Sequence, residues 1–123
     1  MPEFDPISYS KASKNTSQLA NMLQYQTVAA VADVYTVDFA NQPIKNVRMT
    51  TADANAKTVA LANVPADAEL FIELTYTNAA AMTWFANIIW LSGSAPTLTA
   101  GKVYRLAFFK VGNNWHGNCV GGW

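Results

Sequence analysis

Hydrophobic and polar residues alternate with a period of two along several stretches of this chain, most clearly from Leu70 to Tyr76. The even-numbered residues of that stretch are apolar and face one side of an extended backbone, whereas Glu73 lies on the other side. Residues 34–39 and 47–50 repeat the pattern. Period-two alternation is typical of strands with one buried face. We therefore predict short β-strands in these stretches, the first of them at residues 34–39.

The longest alternating stretch runs from Lys102 to Val111, and between its two lysines, at residues 103–109, both faces are apolar apart from Arg105. A strand that is apolar on both sides needs cover on both sides. We therefore predict a strand in the middle of a sandwich or at a subunit interface. Residues 112–114, a glycine and two asparagines, tolerate positive φ and predict a hairpin turn into Trp115.

Turn-forming Asn, Asp, Gly and Pro residues separate the alternating stretches at intervals of about ten residues, which is typical of sandwiches and jelly rolls. Residues 84–90 are predicted to form a further strand, with a bulge at Asn87. The fold class is therefore predicted to be all-β, with a domain that resembles a β-sandwich or jelly roll. No repeat of fixed period is visible, so neither a solenoid nor a propeller is predicted.

Residues 1–33 lack this alternation and are predicted to form an N-terminal arm ahead of a β domain at residues 34–123. Asp5 followed by Pro6 is typical of a helix N-cap and first helical position. A second short helix would place four residues on one stripe: Leu19, Met22, Leu23 and Gln26. So short a helix needs a surface to pack on. That surface is either the domain's own sheet or another protein, including symmetry-related copies.

Composition narrows the set of partners. Charged residues make up 13% of the chain, and eight basic side chains balance eight acidic ones, so we expect neither nucleic acid nor an anionic membrane as a partner. Apolar residues reach 51%, which favours a homo-oligomer that covers the excess apolar surface. The sequence contains no leader-like segment and no run of about 20 apolar residues, so neither secretion by that route nor membrane insertion is expected.

Residues with catalytic or metal-binding chemistry are few. His116 and Cys119 have the spacing of half a zinc site, but the chain contains no second His or Cys, so no metal is predicted. No serine lies in a G-x-S-x-G elbow, and Glu69 and Glu73 would lie about 13 Å apart along a strand, too far for a retaining glycosidase pair. No phosphate-binding glycine loop is present. We therefore predict no catalytic residues, no cofactor and no enzymatic activity.

The four tryptophans allow two interpretations. They form either the core and subunit contacts or an aromatic platform for a sugar ring, with Trp115 flanked by Asn113 and Asn114 as the predicted glycan-binding group. The terminal Trp123 is predicted to pack on a neighbouring subunit or on its own core.

Two segments resemble parts of small structural proteins of tailed-bacteriophage virions. Residues 4–9, F-D-P-I-S-Y, resemble the start of some capsid-decorating and head-fibre proteins. Residues 89–102, the strand of residues 104–109 and the W-H-G of residues 115–117 are similar to the end of β-rich knob domains on fibres and decoration proteins. The final hairpin of those knobs usually carries Gly-Gly, where this chain has Gly-Asn-Asn. Together these segments cover about a third of the chain.

The resemblance implies a virion structural protein, assembled in the host cytoplasm, with an N-terminal arm fixed to the major capsid protein or another virion protein and a C-terminal β knob, commonly trimeric. The expected function is capsid cement or decoration; the alternative is a short head or tail fibre whose knob binds a host surface carbohydrate. The expected attachment residues are Phe4, Asp5, Pro6, Ile7 and Tyr9. The expected subunit contacts are Leu19, Met22, Leu23, Tyr104, Phe108 and Trp123.

Overall fold

A computed structural model describes residues 25–123 of the chain, and within them the protein is all-β with no helix. The nine strands are β1 (Gln26–Thr27), β2 (Val34–Asp38), β3 (Ile44–Thr50), β4 (Lys57–Ala62), β5 (Glu69–Tyr76), β6 (Met82–Thr83), β7 (Ile88–Trp90), β8 (Lys102–Val111) and β9 (Asn114–Gly121). The predicted arm residues and the helix stripe of Leu19, Met22 and Leu23 lie outside the described residues. Gln26, the fourth residue of that stripe, lies in strand β1.

The strands form two sheets that share one core. One sheet has six strands in the order β1-β3-β5-β8-β9-β7, and the other has three in the order β2-β4-β6. The pairs β1–β3, β3–β5, β2–β4, β4–β6 and β7–β9 are parallel, whereas β5–β8 and β8–β9 are antiparallel. A jelly roll is built from antiparallel strands, so this parallel pairing departs from the predicted jelly-roll pattern.

From β1 to β6 the chain passes alternately from one sheet to the other, so each strand pairs with the next strand but one. Paired residues are 21 to 25 positions apart in sequence, for example Gln26 with Val47 and Val34 with Thr58. This part of the chain therefore winds in coils, and the prediction against a solenoid-like path is wrong for it. The repeat lies in the backbone path and not in the residue types, which is why no sequence period revealed it.

The inward side chains of both sheets pack in a single hydrophobic core, which confirms the main predictions from alternation. The core side chains of β2, of the residue after it, and of β4 are Tyr35, Val37, Phe39 and Val59. Those of β3, β5 and β8 include Val47, Met49, Leu70, Ile72, Leu74, Leu106 and Phe108. Strand β8 has the predicted bounds and lies between β5 and β9, away from the edges of the six-stranded sheet as expected. Only one of its faces packs in the core; the other carries the exposed Arg105 and Phe109.

Residues 84–90 do not form the single bulged strand that was predicted. The chain leaves the three-stranded sheet after Thr83 and enters the six-stranded sheet at Ile88. Asn87, the predicted bulge, has a φ of 65° and lies directly before β7. The aromatic residues Trp84 and Phe85, between the two strands, are partly buried and pack against the core. Apolar residues occur at these two positions because they pack against the core, and not because they belong to a β-strand.

The predicted hairpin joins β8 to β9. Val111 pairs with Asn114, so the loop has two residues, Gly112 and Asn113. Gly112 has a φ of 62°, and Asn113 is not among the non-glycine residues with positive φ. Positive φ at the first loop residue alone is the pattern of a type II′ turn, whose twist matches that of the flanking strands.

Polar side chains link successive coils at the corners. Asn63 donates from Nδ2 to Oδ1 of Asp38 at 2.9 Å, joining the ends of β4 and β2. Asn78 donates from its backbone N–H to the hydroxyl of Thr51 at 3.1 Å and from Nδ2 to the Thr51 carbonyl at 3.0 Å. Thr51 is fully buried, so these bonds satisfy polar groups that have lost contact with water.

Candidate interaction surface

The outer face of the six-stranded sheet carries a group of exposed apolar residues. The strand register places Phe109 beside His116 and His116 beside Ile89, in one row across β8, β9 and β7. The next row holds Phe71, Ala107 and Asn118. We call the apolar members of this region the outer apolar face: Phe71, Ile89, Leu91, Ala107 and Phe109.

Three of the seven exposed large hydrophobic residues in the described part of the chain belong to this surface. Leu91 is 79% exposed, Ile89 49% and Phe109 43%. Phe71 packs edge to face against Phe109, with ring centroids 5.8 Å apart. A groove of about 470 Å³ runs along this face and is lined mainly by Ile89, Leu91, Phe109, His116 and Asn118. Contiguous apolar surface of this kind marks an interaction site more often than isolated exposed residues do.

A row of charged residues borders the outer apolar face, next along the strands to Phe71 and Ala107. Glu73 accepts hydrogen bonds from Arg48 Nε at 2.9 Å and from an Arg105 guanidinium nitrogen at 3.3 Å. The ring of Tyr25 lies over both guanidinium groups, with distances of 5.8 and 5.7 Å from ring centroid to Cζ. The three charged residues lie in one row across β3, β5 and β8. This cross-strand ion pairing explains why Arg105 interrupts the apolar residues 103–109 of β8.

Two of the predicted subunit contacts lie inside the monomer. Tyr104 is 7% exposed and Phe108 is fully buried, and both belong to the domain's own core. The prediction that they contact sister chains is corrected accordingly, because their side chains have no surface left to offer. The error lies in the choice of face: the other face of the same strand carries Phe109, which is exposed. Trp123 is 67% exposed and remains accessible to a partner.

Trp115, the central residue of the predicted glycan site, is also part of the core, with 5% exposure. Its ring contacts Phe85 at 5.3 Å and Phe39 at 6.1 Å between centroids. A sugar ring cannot stack on it without unpacking the core, so this assignment is corrected. Asn113 and Asn114 are exposed at the β8–β9 turn. No exposed tryptophan of the predicted sugar platform lies beside them.

The rings of Trp84, Phe85, Trp90 and Phe108 join Trp115 and Phe39 in one aromatic cluster at the end of the core. Phe108 lies at its centre, 4.9 Å from Phe85, 5.5 Å from Trp90 and 6.1 Å from Trp84. Such tilted and edge-to-face pairs add to the stabilisation gained from buried area. The interpretation of these tryptophans as core residues holds for Trp84, Trp90 and Trp115.

His116 and Cys119, whose spacing matches half of a zinc site, lie on opposite faces of β9. His116 is exposed on the outer face, whereas Cys119 packs against the core, where burial raises the pKa of its thiol. Within residues 25–123, no group of three or more His, Cys, Asp or Glu side chains is arranged to hold a metal ion. On the outer face, His116 lies between Phe109 and Ile89 in one row across the strands.

Ile89 and Leu91 were not predicted to be surface residues. The sequence feature that indicated this surface is the second apolar side of β8, because it predicted that Phe109 contacts another surface. Comparison of the chain with protein-family models, with curated proteins and with solved structures finds no match in any of the three. No helix among residues 25–123 is long and apolar enough to cross a membrane.

Proposed function

We propose that this protein is a non-enzymatic structural protein of a tailed-bacteriophage virion, a cement or decoration protein held on the capsid by its N-terminal arm. The observation that carries the proposal is the outer apolar face, an exposed surface suited to contact with other polypeptide and located beside the point where the N-terminal segment enters the domain. Residues 4–9 resemble the start of decoration proteins, and for this reason the capsid shell is the proposed partner.

The mechanism is mass action. A protein that binds across neighbouring shell subunits, and not to dissociated ones, stabilises the assembled shell by its binding free energy. Many copies on one particle multiply this contribution. An arm that binds one shell subunit also raises the effective concentration of the attached β domain near the next.

In the proposed arrangement, the residues that hold the arm to the shell are Phe4, Asp5, Pro6, Ile7 and Tyr9. The finer architecture, a β knob preceded by an arm with a short helix, belongs to the same proposal. The knob is a homotrimer in which Trp123 contacts a sister chain. Val120, three residues earlier and 53% exposed, adds apolar area to that contact.

Attachment can be tested with shells prepared without this protein. Deletion of residues 1–15 is expected to abolish co-sedimentation with the shells, because the residues proposed to contact the capsid are removed. The β-sheet circular dichroism of the deleted protein should remain, since residues 25–123 contain the core. Substitution of the exposed Lys102 by Ser in the full chain is the control and should leave occupancy unchanged. Wild-type occupancy by the deleted protein would contradict the proposed role of the arm.

A further inference from the structure

Trp123 is exposed, yet its backbone is held in place. The N–H of Gly122 donates to the Val103 carbonyl at 2.9 Å, and the N–H of Val103 donates back to the Trp123 carbonyl at 3.2 Å. These two bonds hold residues 122–123 against the beginning of β8. The ring itself remains 67% exposed. An aromatic side chain on an ordered backbone loses little conformational entropy when a partner covers it, which favours binding.

Gly121 allows the ring of Trp123 to lie close to the sheet. Its φ is 138°, and a Cβ at this position would lie 2.6 Å from the Val103 carbonyl oxygen and 3.2 Å from Cζ3 of Trp123. Glycine permits both approaches because it has no Cβ. Gly121 pairs with Tyr104, whose side chain is buried, and paired residues project to the same side of a sheet. The ring of Trp123 therefore lies on the core side of the six-stranded sheet, at the end where β9 finishes.

The groove on the outer apolar face lies at a different place on the same sheet. Its lining includes residues 116–118 of β9 together with Ile89, Leu91 and Phe109. These exposed side chains lie on the outer side of the sheet, whereas Trp123 lies on the core side. The sheet thus separates the ring from the groove, and Trp123 does not fill the groove of its own chain. A contact between the two joins two copies of the protein.

We propose that Trp123 of one copy inserts into the groove on the outer apolar face of a neighbouring copy, against Ile89, Leu91 and Phe109. The inference rests on the proposed homotrimer and identifies the surface that receives Trp123 in it. The two contacting surfaces are different, so the contact is heterologous. A ring of three copies closes when each copy gives one tryptophan and receives one.

The groove fits a tryptophan side chain in size and in chemistry. Its volume of about 470 Å³ lies within the range of about 300–1,000 Å³ that is typical of sites that enclose small organic ligands. Burial of an indole removes about 150–250 Å² of surface from water, and a buried indole N–H usually finds an acceptor. Asn118, an exposed residue of the lining, carries an amide oxygen that accepts such a bond. Tryptophans that fill grooves of this kind are frequent hot spots of protein interfaces.

Charge favours a second copy as the source of the ring. None of the residues that line the groove is Asp, Glu, Lys or Arg. Residues 119–123 of the neighbouring copy, C-V-G-G-W, carry no such side chain either. Contact between these two surfaces therefore buries no charged side chain without a partner, a cost that a charged segment of another protein would bring.

Complementation between two variants of the full chain tests the contact. Leu91→Ser alters the groove, Trp123→Ser removes the ring, and sedimentation equilibrium gives the mass of each variant alone and of an equimolar mixture. We expect Trp123→Ser to weaken association at least about thirtyfold, as at an interface hot spot, and Leu91→Ser about tenfold or more, as for the loss of one buried apolar side chain. In the mixture, Trp123 of the Leu91→Ser chain finds the intact groove of the Trp123→Ser chain. A complex of two chains should therefore form as the concentration is raised.

The matched control mixes the double variant, Leu91→Ser with Trp123→Ser, with the single variant Trp123→Ser. This mixture contains no tryptophan at position 123, so no two-chain complex should form. Circular dichroism checks that every variant keeps its β-sheet. Leu91→Ser chains that keep the mass of the wild type would overturn the assignment of the groove and leave the trimer standing. Failure of the first mixture to form a two-chain complex would overturn it as well.

Failure of the proposed trimer gives a different result. A wild-type mass that keeps growing with concentration, without stopping at three chains, would support the contact between Trp123 and the groove and contradict the closed ring. A wild type that stays monomeric would overturn both. Attachment to shells is measured separately by co-sedimentation, so failure of the cement proposal would leave these masses unchanged.

Discussion

Gly117 shows how a single residue is fixed by its neighbours in the core. It pairs with Phe108 across the β8–β9 ladder, and a Cβ at this position would lie 2.9 Å from two ring carbons of Phe108. Ile88 closes the other side, with its Cγ2 at 3.2 Å from the same point. The glycine of the W-H-G motif therefore leaves room for the ring at the centre of the aromatic cluster.

Substitution of Gly117 by Ala is expected to lower the free energy of unfolding by about 1–3 kcal/mol, the usual cost of overpacking a core. The reason is steric, so the loss should be smaller in a Phe108→Leu background, where the side chain is shorter. Chemical denaturation of the four proteins measures both values. An equal loss in the two backgrounds would show that the methyl group does not act through Phe108.

Among the described residues, Lys57 is the charged residue that is buried, and it lies where connections between strands meet. Only 2% of its side chain is exposed, and its ammonium group donates to Asp53 at 2.5 Å, to Asp33 at 2.9 Å and to the carbonyl of Asn55 at 2.9 Å. Asp33 lies before β2, whereas Asp53 and Asn55 lie between β3 and β4. Lys57 thus joins two connections at one end of the coils, and its burial is compensated by three acceptors.

These bonds predict a pH dependence of stability. The bond to Asp53, followed by the bond to Asp33, raises the pKa of Lys57, and the bond from Lys57 lowers the pKa of Asp53 below its ordinary 3.8. The contribution of Asp53 is therefore present above about pH 4 and is lost as the pH falls through its folded pKa. The contribution of Lys57 is present below about pH 10 and is lost as the pH rises through its raised pKa.

The measurement compares the unfolding midpoints of the wild type and Lys57→Met from acid to alkaline pH. The wild type should lose stability relative to Lys57→Met below about pH 4 and above about pH 10. Lys102→Met, at an exposed lysine, is the matched control and should follow the wild type below pH 4. Parallel curves for wild type and Lys57→Met would contradict a stabilising role for the cluster.

Element boundaries followed from the sequence where one face of a strand is buried. Strands β2, β5 and β8 could be predicted because their inward residues alternate regularly. Strands β6 and β7 could not be predicted. The apolar residues from Trp84 to Trp90 pack where the chain passes from one sheet to the other, so they do not follow the alternation of a single strand. Neighbour relations were also hidden: alternation determines which side chains face the core, but it is the same in parallel and antiparallel pairs.

At the scale of the whole molecule, the surface could be predicted only in part. The apolar excess in the composition indicated a contact surface, but its position required the register that brings Ile89 beside His116 and His116 beside Phe109. Aromatic side chains such as Phe108 and Trp115 have the same sequence character whether they line a core or an interface. Burial alone separates these roles, and burial is a property of the fold.

The proposed trimer gives a prediction about the mass of the full chain. Sedimentation equilibrium at micromolar concentration should give three times the chain mass of 13.4 kDa. Substitution of Trp123 by Ser is expected to shift the mass toward that of one chain, because this ring supplies exposed apolar area at the proposed contact. Val31→Ser, at another exposed apolar residue, should keep the wild-type mass. A wild-type protein that is monomeric at this concentration would contradict the trimer.

The shortness of β1 has a mechanical consequence for any load carried by the N-terminal segment. A pull on that segment acts first on β1, which holds to β3 through two residue pairs, whereas β3 is held to β5 through seven. We expect β1 to peel away first, and the tether then lengthens by residues 28–33 while the coils behind it stay folded. Detachment of β1 would therefore absorb the first extension under load, before any force unfolds the remaining strands of the domain.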